Sequence, residues 1–279
     1  MQATSVESDE DYQQQLIRSL FNSGHEDEEL DDHHNDISEH EWKIDIRPAF
    51  VLFYHLAFRA PGHGDSLWNS SECIARHLLI PELRSLVLGD ERDHWPPAHS
   101  IEFGAGAALP SLVLLKEGAG RVTMTDRYVN QQTFEALRMS VDKNAEIWGA
   151  EKERAVIIPH TWGEDVERLT IDAHGDKSGA SRKGDLLIAS DCIYNPTYHT
   201  ALLQSAVGAM AKLGKFIVGY SFHGNVPPSQ VLDFFARAKD EFGLEVVSEF
   251  SEKYDGQRGI GDMDKNRGVV YVKVLLSKG

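Results

Sequence analysis

The chain has 279 residues, 41% hydrophobic and 26% charged, which is enough for one large buried core in an ordinary globular protein. Its formal net charge of −16 disfavours a phosphate backbone as partner and favours a basic protein or a cationic group, unless the charge does no more than solvate the surface. No apolar run approaches the roughly 18 residues of a membrane span. The polar, acidic start lacks the pattern of a targeting peptide, and two cysteines, Cys73 and Cys192, point to a reducing, cytoplasmic setting rather than a disulfide framework.

Residues 1–40 read as an acidic, partly disordered N-terminal segment, and residues 41–279 as one domain. Within the segment, Glu10 to Leu20 can form a short amphipathic helix with Leu16, Ile17, Leu20 and Phe21 on one side. The run Glu26 to Asp36 follows and should be solvated. Its His33 and His34 lack the fixed geometry that a metal site needs. Trp42, Ile44 and Ile46 alternate with polar residues, as in a strand; Phe50 to Phe58 is an apolar stretch; Pro61 to Gly64 is a loop; and Ser70 to Leu79 has a helical period.

From Ser100 onward, short apolar strands alternate with helical segments. Strands are expected at Ser100–Phe103, Arg121–Thr125, Ala155–His160, Asp185–Ser190, Lys215–Ser221, Leu244–Phe250 and Val269–Leu276. Helices are expected near Pro110–Glu117, Gln131–Trp148, Tyr198–Lys212 and Ser229–Glu241. This alternation predicts an α/β fold: a Rossmann-like, doubly wound sheet of seven strands behind an N-terminal extension. The sheet should be mostly parallel with an antiparallel last strand, because Gly256 to Gly268 is a polar loop that leaves no room for a crossover helix. Asp172 to Gly184 reads as a surface insertion.

Ligands of such a sheet bind at the carboxyl ends of its strands. After the first of them, Gly104-Ala105-Gly106 permits a tight turn and close backbone approach. The third glycine of a dinucleotide fingerprint is replaced by Leu109, and Glu102 would repel a diphosphate. S-adenosylmethionine, which carries an ammonium and a sulfonium and no phosphate, suits these residues better; Glu102 would act through water or by holding the loop. Asp126, 22 residues beyond Gly104, ends the next strand, where a carboxylate can accept both ribose hydroxyls. Trp162 either packs on an adenine or covers the sheet edge. The fourth strand ends in Ser190-Asp191-Cys192-Ile193-Tyr194, facing the transferable methyl. Asp191 can orient an incoming amine and Tyr194 can wall the site. Cys192 reads as a small buried residue, Asn195–Tyr198 as a helix start, and His199 as a residue of the helix surface.

These residues resemble family 16 of the seven-β-strand methyltransferases, the methyltransferase-like 21 type of protein lysine methyltransferase, and within it the members that act on a translation elongation factor. The resemblance rests on Leu67-Trp68-Asn69, on Gly104 through Leu112, on Thr161-Trp162-Gly163 and on Asp191-Cys192-Ile193-Tyr194, taken in order. It implies cofactor contacts from Trp68, Gly104 to Gly106, Asp126, Trp162 and Ser190, and a substrate element at Asp191 and Tyr194. It also implies a protein substrate methylated at lysine or at an N-terminal α-amine, S-adenosylhomocysteine as product, and no metal. A basic protein partner, no nucleic acid, no membrane and a monomeric chain complete the expectation. The competing readings are a small-molecule N-methyltransferase for a nicotinamide-like substrate, a non-catalytic scaffold, and a dehydrogenase.

Overall fold

Four consecutive buried residues, Ser100-Ile101-Glu102-Phe103, form the strand around which the sheet is built. The computed structural model describes residues 37–44, 50–57, 66–89, 95–128, 131–149, 152–170, 182–223, 226–254 and 268–277, all within one compact unit spanning Asn35–Gly279. In chain order they give β1 (Ile37–Ile44), β2 (Phe50–Ala57), α1 (Asn69–Leu79), α2 (Pro81–Leu88), β3 (Ser100–Phe103), α3 (Leu109–Lys116), β4 (Val122–Asp126) and α4 (Gln131–Trp148). There follow β5 (Ala155–Pro159), α5 (Glu167–Thr170), β6 (Gly184–Ser190), α6 (His199–Ala209), β7 (Met210–Tyr220), α7 (Pro228–Asp240), β8 (Leu244–Lys253) and β9 (Val269–Ser277). The acidic run with His33 and His34, the loop Pro61 to Gly64, and most of the stretches 172–184 and 256–268 lie outside the described residues.

Seven strands make one sheet in the order β5-β4-β3-β6-β7-β9-β8. β3 pairs in parallel with β4 and β6, and β9 lies antiparallel between β7 and β8. The chain builds outward from β3 to β5 and then crosses over to β6, so strand order switches between β3 and β6. Crevices at such a switch point are where doubly wound sheets hold ligands. β3, β4 and β6 are buried on both faces, as in a sheet covered by helices on both sides.

β1 and β2 form a separate antiparallel hairpin. Trp42 is buried and donates its indole N–H to Glu72 of α1 at 3.0 Å. The free backbone edge of β2 is closed by polar side chains of α4: Phe53 N donates to Asn144 Oδ1, His55 N donates to Ser140 Oγ, and Asn144 Nδ2 donates to Phe53 O. Side chains here take the place of a neighbouring strand and satisfy Phe53 N, Phe53 O and His55 N.

α1 lies directly on β7. A Cβ at Gly219 would come within 2.9 Å of Ile74 Cδ1 and 3.0 Å of Ser70 Cβ, so only glycine admits this approach. The consequence for function is that Ser70 is brought over the end of β6.

Three features differ from the sequence reading. The helix expected to reach Lys212 stops at Ala209, and β7 starts at Met210; Leu213 within it adopts φ 63°, and Gly214 lies so close to β6 that a Cβ there would stand 2.9 Å from Gly184 O. Pairing with β6 slips across this irregular start. The apolar stretch at Phe50 is a strand, and α2 and α5 were not expected.

His99, just before β3, is fully buried. Its ring bonds to Arg182 O at 2.8 Å and to Thr123 Oγ1 at 2.9 Å, tying together the entries of β3, β4 and β6. Burial lowers its pKa to about 4. The unfolded ring takes up a proton near pH 6.5 and the folded ring near pH 4, so stability falls as pH drops through that window. The cost saturates at about 3 kcal/mol. Urea unfolding midpoints should therefore decline between pH 6.5 and 4, and His99→Gln should flatten that decline.

Candidate active site

The turn after β3 alternates through left-handed backbone: Gly104 at φ 60°, Gly106 at φ 48° and Ala108 at φ 53°. The glycines accept this freely, whereas Ala108 does so at a cost of roughly 1–2 kcal/mol. A Cβ at Gly104 would stand 2.8 Å from Cys192 Sγ and 3.2 Å from the Trp162 ring. The tips of β3, β5 and β6 therefore converge on one glycine.

Asp126, at the tip of β4, accepts from Gly106 N at 3.0 Å and from Arg127 N at 2.7 Å. Its first contribution is to hold the glycine turn. Desolvation raises its pKa and these two donors oppose the rise. One lone pair on each oxygen remains for a ligand.

Glu102 is buried inside β3, and its Oε2 accepts from Ser111 N at 3.1 Å and Ser111 Oγ at 2.5 Å. It thus anchors the first turn of α3, the loop-holding alternative of the sequence reading. Burial pushes its pKa up to about 8, so at neutral pH it is largely protonated. Its Oε1 and the Ser190 hydroxyl of β6 are buried polar atoms without hydrogen-bond partners among the described residues. Both sit on the two strands that flank the switch point, and a polar ligand seated there would satisfy them. The residues fit a cofactor rich in hydroxyl and ammonium groups.

Asp191, just past β6, is the most constrained residue of the site. It is a buried non-glycine residue at φ 51°, with its own N–H bonded to Gly219 O at 2.8 Å. Oδ2 accepts from Ser70 Oγ at 2.5 Å, and Oδ1 accepts from Ser221 N at 2.9 Å. His223 Nε2 stands 3.3 Å from Oδ1. α1, β6 and the end of β7 are thus knotted through one carboxylate.

Around it stand aromatic rings. Trp68, the N-cap residue of α1, lies edge-on to His223 at 5.3 Å between centroids, and Tyr194 lies edge-on to the same ring at 6.5 Å. Burial pushes the Tyr194 hydroxyl up to about 12, so it remains protonated at neutral pH. Trp162 follows β5 and packs edge-on against Tyr198 at 6.3 Å, while Gly163 N and His160 both bond to Ser205 Oγ.

The structure brings Glu102, Gly104, Ala105, Gly106, Asp126, Trp162, Ser190, Asp191, Tyr194 and Trp68 to neighbouring strand tips and to the start of α1. It adds Ser70, Ser221 and His223, which the sequence reading missed. Cys192 is buried with Sγ 3.2 Å from Phe103 O, as expected of a small core residue. Asn195 accepts from Thr197 N and starts the helical turn Pro196–Tyr198. His199 is not on a helix surface; it is buried, bonds to Ile193 O at 2.9 Å and packs on Phe234.

Sheet order, switch point and glycine turn define a Rossmann-like methyltransferase fold. A structure from Streptococcus mutans, assigned as an S-adenosylmethionine-dependent methyltransferase, superposes with TM-score 0.54 over 85% of this chain and 55% of its own, at 10% identity. One from Pyrococcus horikoshii, assigned as an RNA methyltransferase, superposes with TM-score 0.50 over 79% of this chain and 92% of its own, at 16% identity. A sequence profile described as lysine methyltransferase matches residues 57–240. The protein N-terminal and lysine N-methyltransferase EFM7 of Yarrowia lipolytica is 33% identical over 71% of each chain. Its namesake in Candida glabrata is 35% identical over 69% of this chain and 68% of its own. The Cryptococcus neoformans protein of that name is 35% identical over 58% of this chain and 47% of its own, so this match spans about half the relative's length. The chain belongs to the lysine methyltransferase family.

Removing one donor from a buried carboxylate leaves it undersatisfied, at a cost of about 1–3 kcal/mol. Ser70→Ala should lower the unfolding free energy by that amount in urea titrations; an unchanged midpoint would mean that Asp191 does not depend on this donor.

Proposed function

We propose that the chain is an S-adenosylmethionine-dependent protein N-methyltransferase acting on a lysine or an N-terminal α-amine of a basic protein partner. The observation that carries this reading is the Asp191 carboxylate, fixed in left-handed backbone at the switch point beside the glycine turn and ringed by Trp68, Tyr194 and His223. Family membership supports the same reading, as do relatives named for both amine targets.

The donor supplies an electrophilic methyl on a sulfonium. In the proposed division of labour, Asp126 offers its free lone pairs to the ribose hydroxyls while keeping Gly106 N. Gly104, Ala105 and Gly106 admit the donor's backbone-like end. Ser190 Oγ and Glu102 Oε1 would gain partners, and an ammonium seated beside Glu102 would draw that carboxyl toward its ionised form. Trp162 and Trp68 would flank the donor.

Asp191 holds the incoming ammonium and orients it, and Tyr194 and His223 shape its approach. Displacement needs a neutral nitrogen lone pair in line with the methyl, so positioning carries most of the catalysis. The His223 side chain is 25% exposed against 4% for Asp191, so the amine's proton leaves to solvent on the His223 side.

The net charge of −16 favours a basic partner over nucleic acid. No helix among the described residues is long and apolar enough to cross a membrane. We place the enzyme in the cytoplasm as a monomer, with residues 1–40 as an acidic extension of the 41–279 domain.

Incubation with methyl-labelled S-adenosylmethionine and methylation-naive lysate should label a protein band. Label appearing only in a dialysable product would contradict a protein substrate. Asp126→Ala should weaken donor binding by about 1–3 kcal/mol. Asp191→Asn, which keeps the shape and still accepts from Ser221 N, should leave donor binding within twofold by calorimetry and reduce transfer at least 100-fold. Equal loss of binding in both variants would mean that the two acids have been assigned wrongly.

A further inference from the structure

A second cluster, with two of its three residues buried, lies between α1 and β8 and takes no part in the strand-tip site. Cys73 and His77 are one turn apart on the same face of α1, and neither has any exposed surface. Glu252 of β8 faces them, with Oε1 3.3 Å from His77 Nε2 and Oε2 3.8 Å from Cys73 Sγ. A thiol sulfur, an imidazole nitrogen and a carboxylate oxygen thus come within 4.8 Å of one another.

The orientation of His77 is the informative feature. Its Nδ1 is 2.9 Å from the carbonyl oxygen of Cys73. A carbonyl only accepts, so Nδ1 carries a proton and Nε2 of the neutral ring is a bare lone pair. That nitrogen is buried, has no hydrogen-bond partner among the described residues, and faces a carboxylate oxygen, which is also an acceptor. The Glu252 side chain is 25% exposed, but the imidazole nitrogen has no access to water, and an acceptor facing it is unfavourable unless a positive centre lies between them. Phe250 stacks on the ring with centroids 4.3 Å apart and planes at 25°, which holds it in this orientation.

Metal-binding imidazoles show the same pattern: one nitrogen binds the ion while the other donates to a backbone carbonyl. Glu252 is likewise held from behind, since Arg76 pairs with its Oε2 and also donates to the Tyr254 hydroxyl, leaving Oε1 turned inward. Sulfur, nitrogen and oxygen together suit a borderline-soft divalent ion of the zinc class.

We propose that Cys73, His77 and Glu252 form a structural site for a zinc-class divalent cation that staples α1 to β8, with water as fourth ligand. Metal–ligand bonds of roughly 2.0–2.3 Å place tetrahedral ligands about 3.5 Å apart, so closing the site takes shifts on the order of 1 Å. On binding, the cation takes the thiol's sulfur and releases its proton to solvent. Thiolate and carboxylate then balance the two positive charges, and Arg76 remains an outer hydrogen-bond donor to the carboxylate. Because α1 also carries Ser70, the staple would fix the helix that steadies Asp191.

Cobalt(II) titration of the purified, metal-stripped full chain tests this. Thiolate ligation produces a sulfur-to-cobalt charge-transfer band that sites made only of nitrogen and oxygen, such as one using His33 and His34, do not give. The band should saturate at one equivalent, be displaced by zinc, persist in Cys192→Ser and vanish in Cys73→Ser. His77→Gln, a milder change, should weaken cobalt binding at least tenfold, so the ligand set stays testable if Cys73→Ser does not fold. Absence of the band in the unaltered chain, or its survival in Cys73→Ser, would overturn the proposal and leave a shared proton as the link between His77 and Glu252.

Discussion

The site is organised by the way Asp191 is held. A carboxylate removed from water is costly unless donors surround it, and a non-glycine residue in left-handed backbone is unfavourable unless its surroundings enforce it. Asp191 meets both demands at once. Ser70 from α1, Ser221 N from the end of β7 and the Gly219 carbonyl beneath it fix side chain and main chain together. Each tie depends on another feature of the fold: Ser70 reaches the carboxylate because Gly219 lets α1 lie against the sheet, and Ser221 is in place because β7 pairs with β6.

Three carboxyl groups share this end of the sheet, and their surroundings separate their tasks. Glu102 is buried against Ser111, protonated near neutrality and structural in the first instance. Asp126 braces the glycine turn and keeps one lone pair on each oxygen. Asp191 is held by donors on several sides and faces aromatic rings. Similar side chains thus serve as loop anchor, ribose acceptor and amine holder because burial and donor count differ around each.

Local pattern carried part of this picture. Gly104, Gly106, Asp126, Trp162 and Asp191 each end an apolar strand or follow one within three residues, so their place at the strand tips was legible from spacing, and so was the antiparallel last strand, from the missing crossover. What escaped was non-local or stereochemical. Ser70 lies 121 residues from Asp191, and His223 lies 32 residues from it, and no short window links them. The left-handed backbone at Ala108 and Asp191 has no glycine to announce it. The helix running into Lys212 looked continuous because the close approach of Gly214 to Gly184, a strand away, leaves no local mark in the sequence. The burial of His199 depends on Phe234 from another helix.

The most direct measurement is a crystal structure with S-adenosylhomocysteine. The expected result has the ribose hydroxyls on Asp126, the glycine turn against the product's amino-acid end, and Asp191 still bonded to Ser70 and Ser221 with no contact to the product. A ribose held by Asp191, or product bound away from the switch point between β3 and β6, would contradict the assignment of the site.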